Sequence, residues 1–354
     1  MQEKMFQALK ERDLPAIFAP AVADWQQRRG EIIAALAKEE YGFSPEAPCQ
    51  VKAATTFCQE RAWAGKAEHR QLELTFPTPG GEFSFPVHTV IPRSREKLPL
   101  CIFLSFKRYP IGEYGPIEEI IDHGFALATF CYQDVTADDD DFSSGLAAMY
   151  HRRGDGTDWG KLGMWAWAAS RLLDYAQTLP QIDHKRIFSV GHSRLGKASL
   201  WCAAQDERFA AAVANDSGAS GAAIARGKKG ERIEEIVQRF PYWFCQNYHR
   251  YRGKEEQLPF DQHQLLAAIA PRPVYVASAT EDLWADPESE FLSCLAASEA
   301  YTRLGLKGLV HQGRLPESGE FLHAGEIGYH LREGTHFLSR YDWQLFMRFM
   351  AQRI

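Results

Sequence analysis

The chain has 354 residues, of which 45% are hydrophobic, 12% aromatic and 24% charged; 40 basic residues against 46 acidic give a formal net charge of −6. That balance excludes a nucleic-acid binder, which would carry a basic face. No apolar run approaches the roughly 18–20 residues needed to cross a bilayer, so a membrane partner is not expected either.

The opening stretch MQEKMFQALKERDLP is polar and charged with no apolar core, and so does not read as a secretory signal. The seven cysteines (49, 58, 101, 131, 202, 245 and 294) stand singly, with no CxxC pair. Scattered thiols without a leader read as free cysteines in a reducing compartment, and the expectation is a cytoplasmic protein. WQQRRGEIIAALA, from Trp25, has helical spacing and belongs to an amino-terminal helical extension over about residues 1–60. The extension is expected to pack on a single domain that, with it, occupies 1–354.

From Leu72 the character changes. LELTFP, FPVHTVIP and LPLCIFLSF are rich in β-branched and aromatic residues and broken by Pro and Gly, which predicts strands. EEIIDHG predicts a short helix and FALATFCY a buried strand. The acidic run at 138–141 reads as a solvated loop, with a place at a cleft rim or on a cation as the alternative. DWGKLGMWAWAASRLLDYAQTLP predicts a long helix capped by Asp158 and ended by Pro180. RIFSVG, FAAAVAND and RPVYVASATED are short continuous apolar runs, the pattern of strands buried on both faces. GLVHQG is the expected last strand and DWQLFMRFMAQRI the closing helix. Strands alternating with helices predict an α/β fold with a mostly parallel central sheet covered on both sides.

Within that pattern, RIFSVGHSRLGKASLWCAA carries a serine between glycines where a strand gives way to a helix. Such a turn lifts Ser193 to the sheet edge and aims the helix N–H groups at a developing oxyanion. The usual G-x-S-x-G spacing is missed by one: Leu195 takes the second glycine position and Gly196 follows it. A serine nucleophile needs a base to take its proton. His336, in REGTHFLSRYDW just before the closing helix, stands where the base of such a fold is kept. Two acids compete to orient it: Asp216 after one strand (AVANDSG) and Asp282 after the next (ASATEDLWADP). The residues alone leave the choice between them open. His192 reads as packing for the turn, and the two histidines of HAGEIGYH as a chance pair without a third metal ligand. Neither a metal nor an organic cofactor is expected.

GHSRLGK, NDSG, EDLWADP and EGTHFLSRYDW together resemble the glucuronoyl esterases (4-O-methyl-glucuronoyl methylesterases), above all the bacterial members, and the likeness begins at Trp25. It implies an α/β-hydrolase fold and hydrolysis of uronic acid esters, with Ser193 as nucleophile and His336 as base. It further implies that the Arg194 side chain neutralises the oxyanion, and that Lys197, Glu231 and Trp284 bind the uronate hydroxyls. Where many members carry Glu after the strand that follows the turn helix, this chain has the Asp216 that is one methylene shorter, and some bacterial members carry an acid at the position of Asp282, so the resemblance favours Asp282. A cytoplasmic location would restrict the substrates to small uronate esters or esterified oligosaccharides. A carbohydrate deacetylase or broad carboxylesterase is the competing enzyme reading, against which Lys197, Glu231 and Trp284 weigh. A non-catalytic sugar-binding homologue would have lost the serine, the histidine or both acids, and none is lost.

Overall fold

The computed structural model describes residues 2–18, 24–109 and 114–354. Ten strands form one sheet: β1 (Lys52–Arg61), β2 (Ala67–Thr78), β3 (Gly81–Pro92), β4 (Leu98–Ser105), β5 (Ala126–Cys131), β6 (Ile182–His192), β7 (Ala211–Asn215), β8 (Val274–Ala279), β9 (Phe321–Leu322) and β10 (Ile327–Arg332). Their spatial order is β1-β2-β3-β5-β4-β6-β7-β8-β10-β9. The block from β5 to β10 is parallel throughout, while β1, β2, β3 and β9 run antiparallel to their neighbours.

Burial explains why the inner strands read as unbroken apolar runs. β4, β5, β7, β8 and β10 are buried at every residue, because helices cover both faces. One face packs against helices Lys161–Ala176, Arg194–Gln205 and Pro287–Arg303, around Leu162, Leu200 and Phe291. The other packs against Ile117–Asp122 and Arg340–Arg353, around Ile120, Phe188, Val213 and Phe346. Parallel strands with covering helices set all their carboxyl ends along one edge, where an α/β sheet keeps its site. The architecture is the α/β-hydrolase fold.

The amino-terminal segment is tied down by specific bonds. Asp24 caps helix Trp25–Leu36 through the Gln26 and Gln27 N–H groups. From that helix Trp25 Nε1 donates to the Ala270 carbonyl (3.3 Å), and Arg29 donates to the carbonyls of Ala268 (2.7 Å) and Ala204 (2.6 Å). Tyr41 then stacks on Trp201 of the helix behind Ser193, ring centroids 4.5 Å apart.

Three local expectations are corrected. Residues 52–61 are the edge strand β1, not part of a helical extension; every residue is exposed, so no alternation marks the strand. GLVHQG contributes one isolated bridge, Leu309 to Ile327, and the closing strand is IGYHLR. That segment hides its polar groups by pairing them: His330 and Arg332 both bond Asp342. Asp158 does not cap the long helix, whose first residue is Lys161; its carboxylate accepts the Arg153 and Gly154 N–H groups, both at 2.8 Å. All seven cysteines are free thiols.

Candidate active site

β6 ends at His192, helix Arg194–Gln205 starts two residues later, and Ser193 lies between them at φ 57°, ψ −127°. A non-glycine residue held there is strained by about 1–3 kcal/mol and persists only if its surroundings enforce it. They do. A Cβ on Gly191 would lie 1.9 Å from the Leu195 carbonyl oxygen, so only glycine fits. A Cβ on Gly196 would come within 3.0 Å of the Ser217 Cβ and 3.2 Å of the Gly191 oxygen, while the Leu195 side chain is fully buried in the core. The closest approach of helix to strand thus falls one residue later than in G-x-S-x-G, which accounts for the displaced glycine.

His336 stands on the loop between β10 and the closing helix. Its Nε2 lies 2.9 Å from Ser193 Oγ and its Nδ1 2.6 Å from Asp282 Oδ2. With Nδ1–H donating to the carboxylate, Nε2 is left to accept the serine proton. Burial works to raise the Asp282 carboxyl, but the hydrogen bond and charge of His336 and the Ala285 N–H outweigh it, leaving the group below the ordinary aspartate value. His192 packs beneath, its ring 4.6 Å from that of His336 and its Nδ1 2.7 Å from Asn215 Oδ1. Burial, helped by His336, takes it down to about 3, so it stays neutral.

Asp216 lies close by in a different setting. Its Oδ2 accepts from Arg332 Nη2 and from the Phe337 N–H, both at 3.2 Å. The same Nη2 donates to the carbonyls of Thr335 (2.8 Å) and Phe337. Asp216 and Arg332 therefore clasp the loop on either side of His336 instead of bonding the imidazole. Burial first and Glu290 second push the Asp216 carboxyl well above the usual aspartate range, with Arg332 opposing them. One donor atom from each of Asp216, Asp282 and His336 falls within 4.8 Å of the other two. Both imidazole nitrogens and both Asp282 oxygens already have partners, which leaves Asp216 Oδ1 as the one atom of the set without one among the described residues. The histidines of HAGEIGYH meet at the Tyr275 hydroxyl, 2.8 Å from His323 and 3.0 Å from His330.

A cavity of about 310 Å³ opens beside Ser193. Lys197, Glu231 and Trp284 all line it, with Arg194, Asp216, Asp282 and His336. Lys197 is buried and donates to the Ser217 carbonyl; burial holds it below the usual lysine value. The Glu231 N–H donates to the Trp284 carbonyl (2.9 Å), and Trp284 is 46% exposed. Phe240 and Trp243 of the FPYWF segment also form the wall and are absent from the sequence reading; that aromatic cluster between polar stretches was their only signal.

Of the acidic run, Asp139, Asp140 and Asp141 are exposed as expected, and only Asp138 departs from that reading. Asp138 is not solvated: its side chain is 9% exposed and forms an ion pair with Arg194. It accepts from Trp243 Nε1 (2.7 Å) and from the Tyr132 hydroxyl (3.1 Å). The Arg194 guanidinium lies over Trp243 at 4.7 Å and Phe240 at 5.3 Å from the ring centroids.

Comparison with known proteins places the chain in a family. A family profile described as "Glucuronyl esterase, fungi" matches residues 77–305. Carbohydrate esterase MZ0003, from an unknown prokaryotic organism, is 43% identical over 66% of the chain and 54% of its own length, so the chain spans about half of that relative. The 4-O-methyl-glucuronoyl methylesterase 1 of Wolfiporia cocos is 27% identical over 80% of the chain and 68% of its own length. Among solved structures, a glucuronoyl esterase from Solibacter usitatus superposes with a TM-score of 0.88 at 32% identity, covering 96% of this chain and 97% of that one.

Proposed function

Because the chain belongs to the glucuronoyl esterase family, we propose that it is a serine carboxylic ester hydrolase acting on alkyl or aryl esters of glucuronic or 4-O-methyl-glucuronic acid. One observation carries the reading: His336 bridges Ser193 Oγ and Asp282 at the mouth of a cavity walled by Lys197, Glu231 and Trp284.

Ser193 Oγ attacks the ester carbonyl as its proton passes to His336 Nε2, and Asp282 stabilises the imidazolium. The oxyanion forms at the start of helix Arg194–Gln205, whose first N–H groups have no acceptor within the helix. The Arg194 guanidinium adds a charge-assisted donor. Collapse breaks the bond to the alcohol oxygen, which takes the proton from His336, leaving the uronyl group on Ser193. Water, deprotonated by the same Nε2, attacks that acyl-enzyme and releases the uronate and a free serine. Sugar hydroxyls ask for donors and acceptors together, which an ammonium, a carboxylate and an indole N–H supply.

The test is turnover of methyl and benzyl glucuronate against p-nitrophenyl acetate, before and after exhaustive chelation. The expected result is a higher kcat/KM on the uronate esters, unaffected by chelation, and none in Ser193→Ala. Preference for the acetate ester, or activity lost to the chelator and restored by metal, overturns the reading.

A further inference from the structure

We propose that Asp138 is the positioning residue for Arg194, holding its guanidinium at the oxyanion side of Ser193 and cancelling its charge toward the acidic product; this rests on Ser193 being the nucleophile.

Asp138 reaches the site from the far side, on the segment after β5, 56 residues from its partner in sequence. Each part of it is held. Oδ2 faces Arg194 Nη1 and the Tyr132 hydroxyl, Oδ1 takes the Trp243 indole N–H, and its backbone carbonyl takes the Tyr242 hydroxyl at 2.9 Å. The flanking chain is fixed too: buried Lys161 donates to the carbonyls of Ala137 (2.9 Å) and Asp141 (2.7 Å). A surface acidic loop has no need of such anchorage.

On the other side, Arg194 is a long side chain with about 2 kcal/mol of rotamer entropy to lose. Its slot is the aromatic wall of Trp243 and Phe240, and the carboxylate at the slot's end fixes how far the guanidinium extends. A donor displaced by about 1 Å from a forming oxyanion costs on the order of 10²-fold in rate, so the anchor matters for the chemical step. The pair also separates two electrostatic effects. A directed N–H acts on an oxyanion at contact, whereas the net charge of a bare arginine would also retain the uronate carboxylate left by hydrolysis. With Asp138 beside it, the arginine keeps the first effect and loses much of the second.

The experiment is a double-mutant cycle on the full chain with benzyl glucuronate, combining Asp138→Asn and Arg194→Ala, with inhibition by free glucuronate measured in each. Asp138→Asn alone is expected to lower kcat about 10- to 10²-fold with KM little changed, and to strengthen inhibition by glucuronate. In the Arg194→Ala background it should cost little more, since parts of one unit are not additive. Tyr132→Phe, which removes one donor to the carboxylate and keeps the charge, should give a smaller loss with the same coupling, and serves if the first variant does not fold. Equal losses in both backgrounds, a change confined to KM, or product inhibition left unaltered in Asp138→Asn overturns the proposal. A wild-type chain inactive on every uronate ester would instead sink the functional reading itself.

Discussion

Asp216 and Asp282 end neighbouring parallel strands, both are buried, and both approach His336, yet their remaining bonds divide them. Asp282 gives one oxygen to the imidazole and the other to the Ala285 N–H. Asp216 gives its inner oxygen to Arg332 and to the Phe337 N–H, and its Oδ1 has no partner among the described residues. Arg332 is in turn held by Asp342 through Nε, 3.0 Å from each carboxylate oxygen. Nearness to an imidazole does not by itself make a carboxylate its orienting acid; the other groups competing for that carboxylate decide. One aspartate serves the ring and the other the loop carrying it.

The largest effect expected from this division is in Asp282→Asn, where the amide can hold the wrong imidazole tautomer and kcat should fall by roughly 10³- to 10⁴-fold. Steady-state kinetics on one uronate ester read it, and a larger loss at Asp216 would reverse the assignment. Adding Asp216→Asn to that variant should reduce kcat little further. Asp216→Asn alone is expected to cost about tenfold or less in kcat but to lower Tm, because Arg332 is left as a buried charge with one carboxylate fewer. Breaking a fully charged buried pair typically costs about 3–5 kcal/mol, and with Asp342 still paired and the Asp216 carboxyl pushed upward by burial the loss should fall below that range. Unchanged Tm together with a collapsed kcat would show Asp216 to be chemical and not structural.

The smallest effect is a pH slope. Glu290, fully buried behind both acids, accepts the Gly218 N–H at 2.8 Å and the Ser278 hydroxyl at 2.6 Å. Burial pushes its carboxyl up to about 7 from an ordinary value of 4.5. Between those pH values the native chain keeps a proton that the unfolded chain has released, so stability drains away as pH rises through the window and levels off above it. Glu290→Gln removes that contribution. The Tm of wild type minus that of the variant should decline from about pH 4.5 to 7 and then stay flat; a difference already flat across that range would mean Glu290 is ionised in the native state.

Much of this was legible in the sequence because the signals were local. The apolar runs of β4 to β8 and the glycines flanking Ser193 each report a constraint within a few residues. The choice between the two acids needed more, since it turns on Arg332, which sits 116 residues from Asp216 and beyond the expected last strand. Asp138 failed for the same reason. Four consecutive aspartates look solvated until Trp243, 105 residues away, is found to be donating to the first of them. Buried polar groups satisfied across the sheet leave no periodic trace.

The two ends of the sheet carry a different lesson. β9 is only two residues long and offers little to pair with, whereas β1 is ten residues long, exposed throughout, and bonded on one side alone to β2. A row of free main-chain groups with Phe57 48% exposed among them is a template on which a second copy could zip. The ladder slips between Thr55 and Phe57, leaving Thr56 as an extra residue. An incoming strand can therefore match only 52–55 or 57–61 before its register breaks, and the charges of Lys52, Glu60 and Arg61 cap those runs. That single inserted threonine breaks the exposed edge into two short runs.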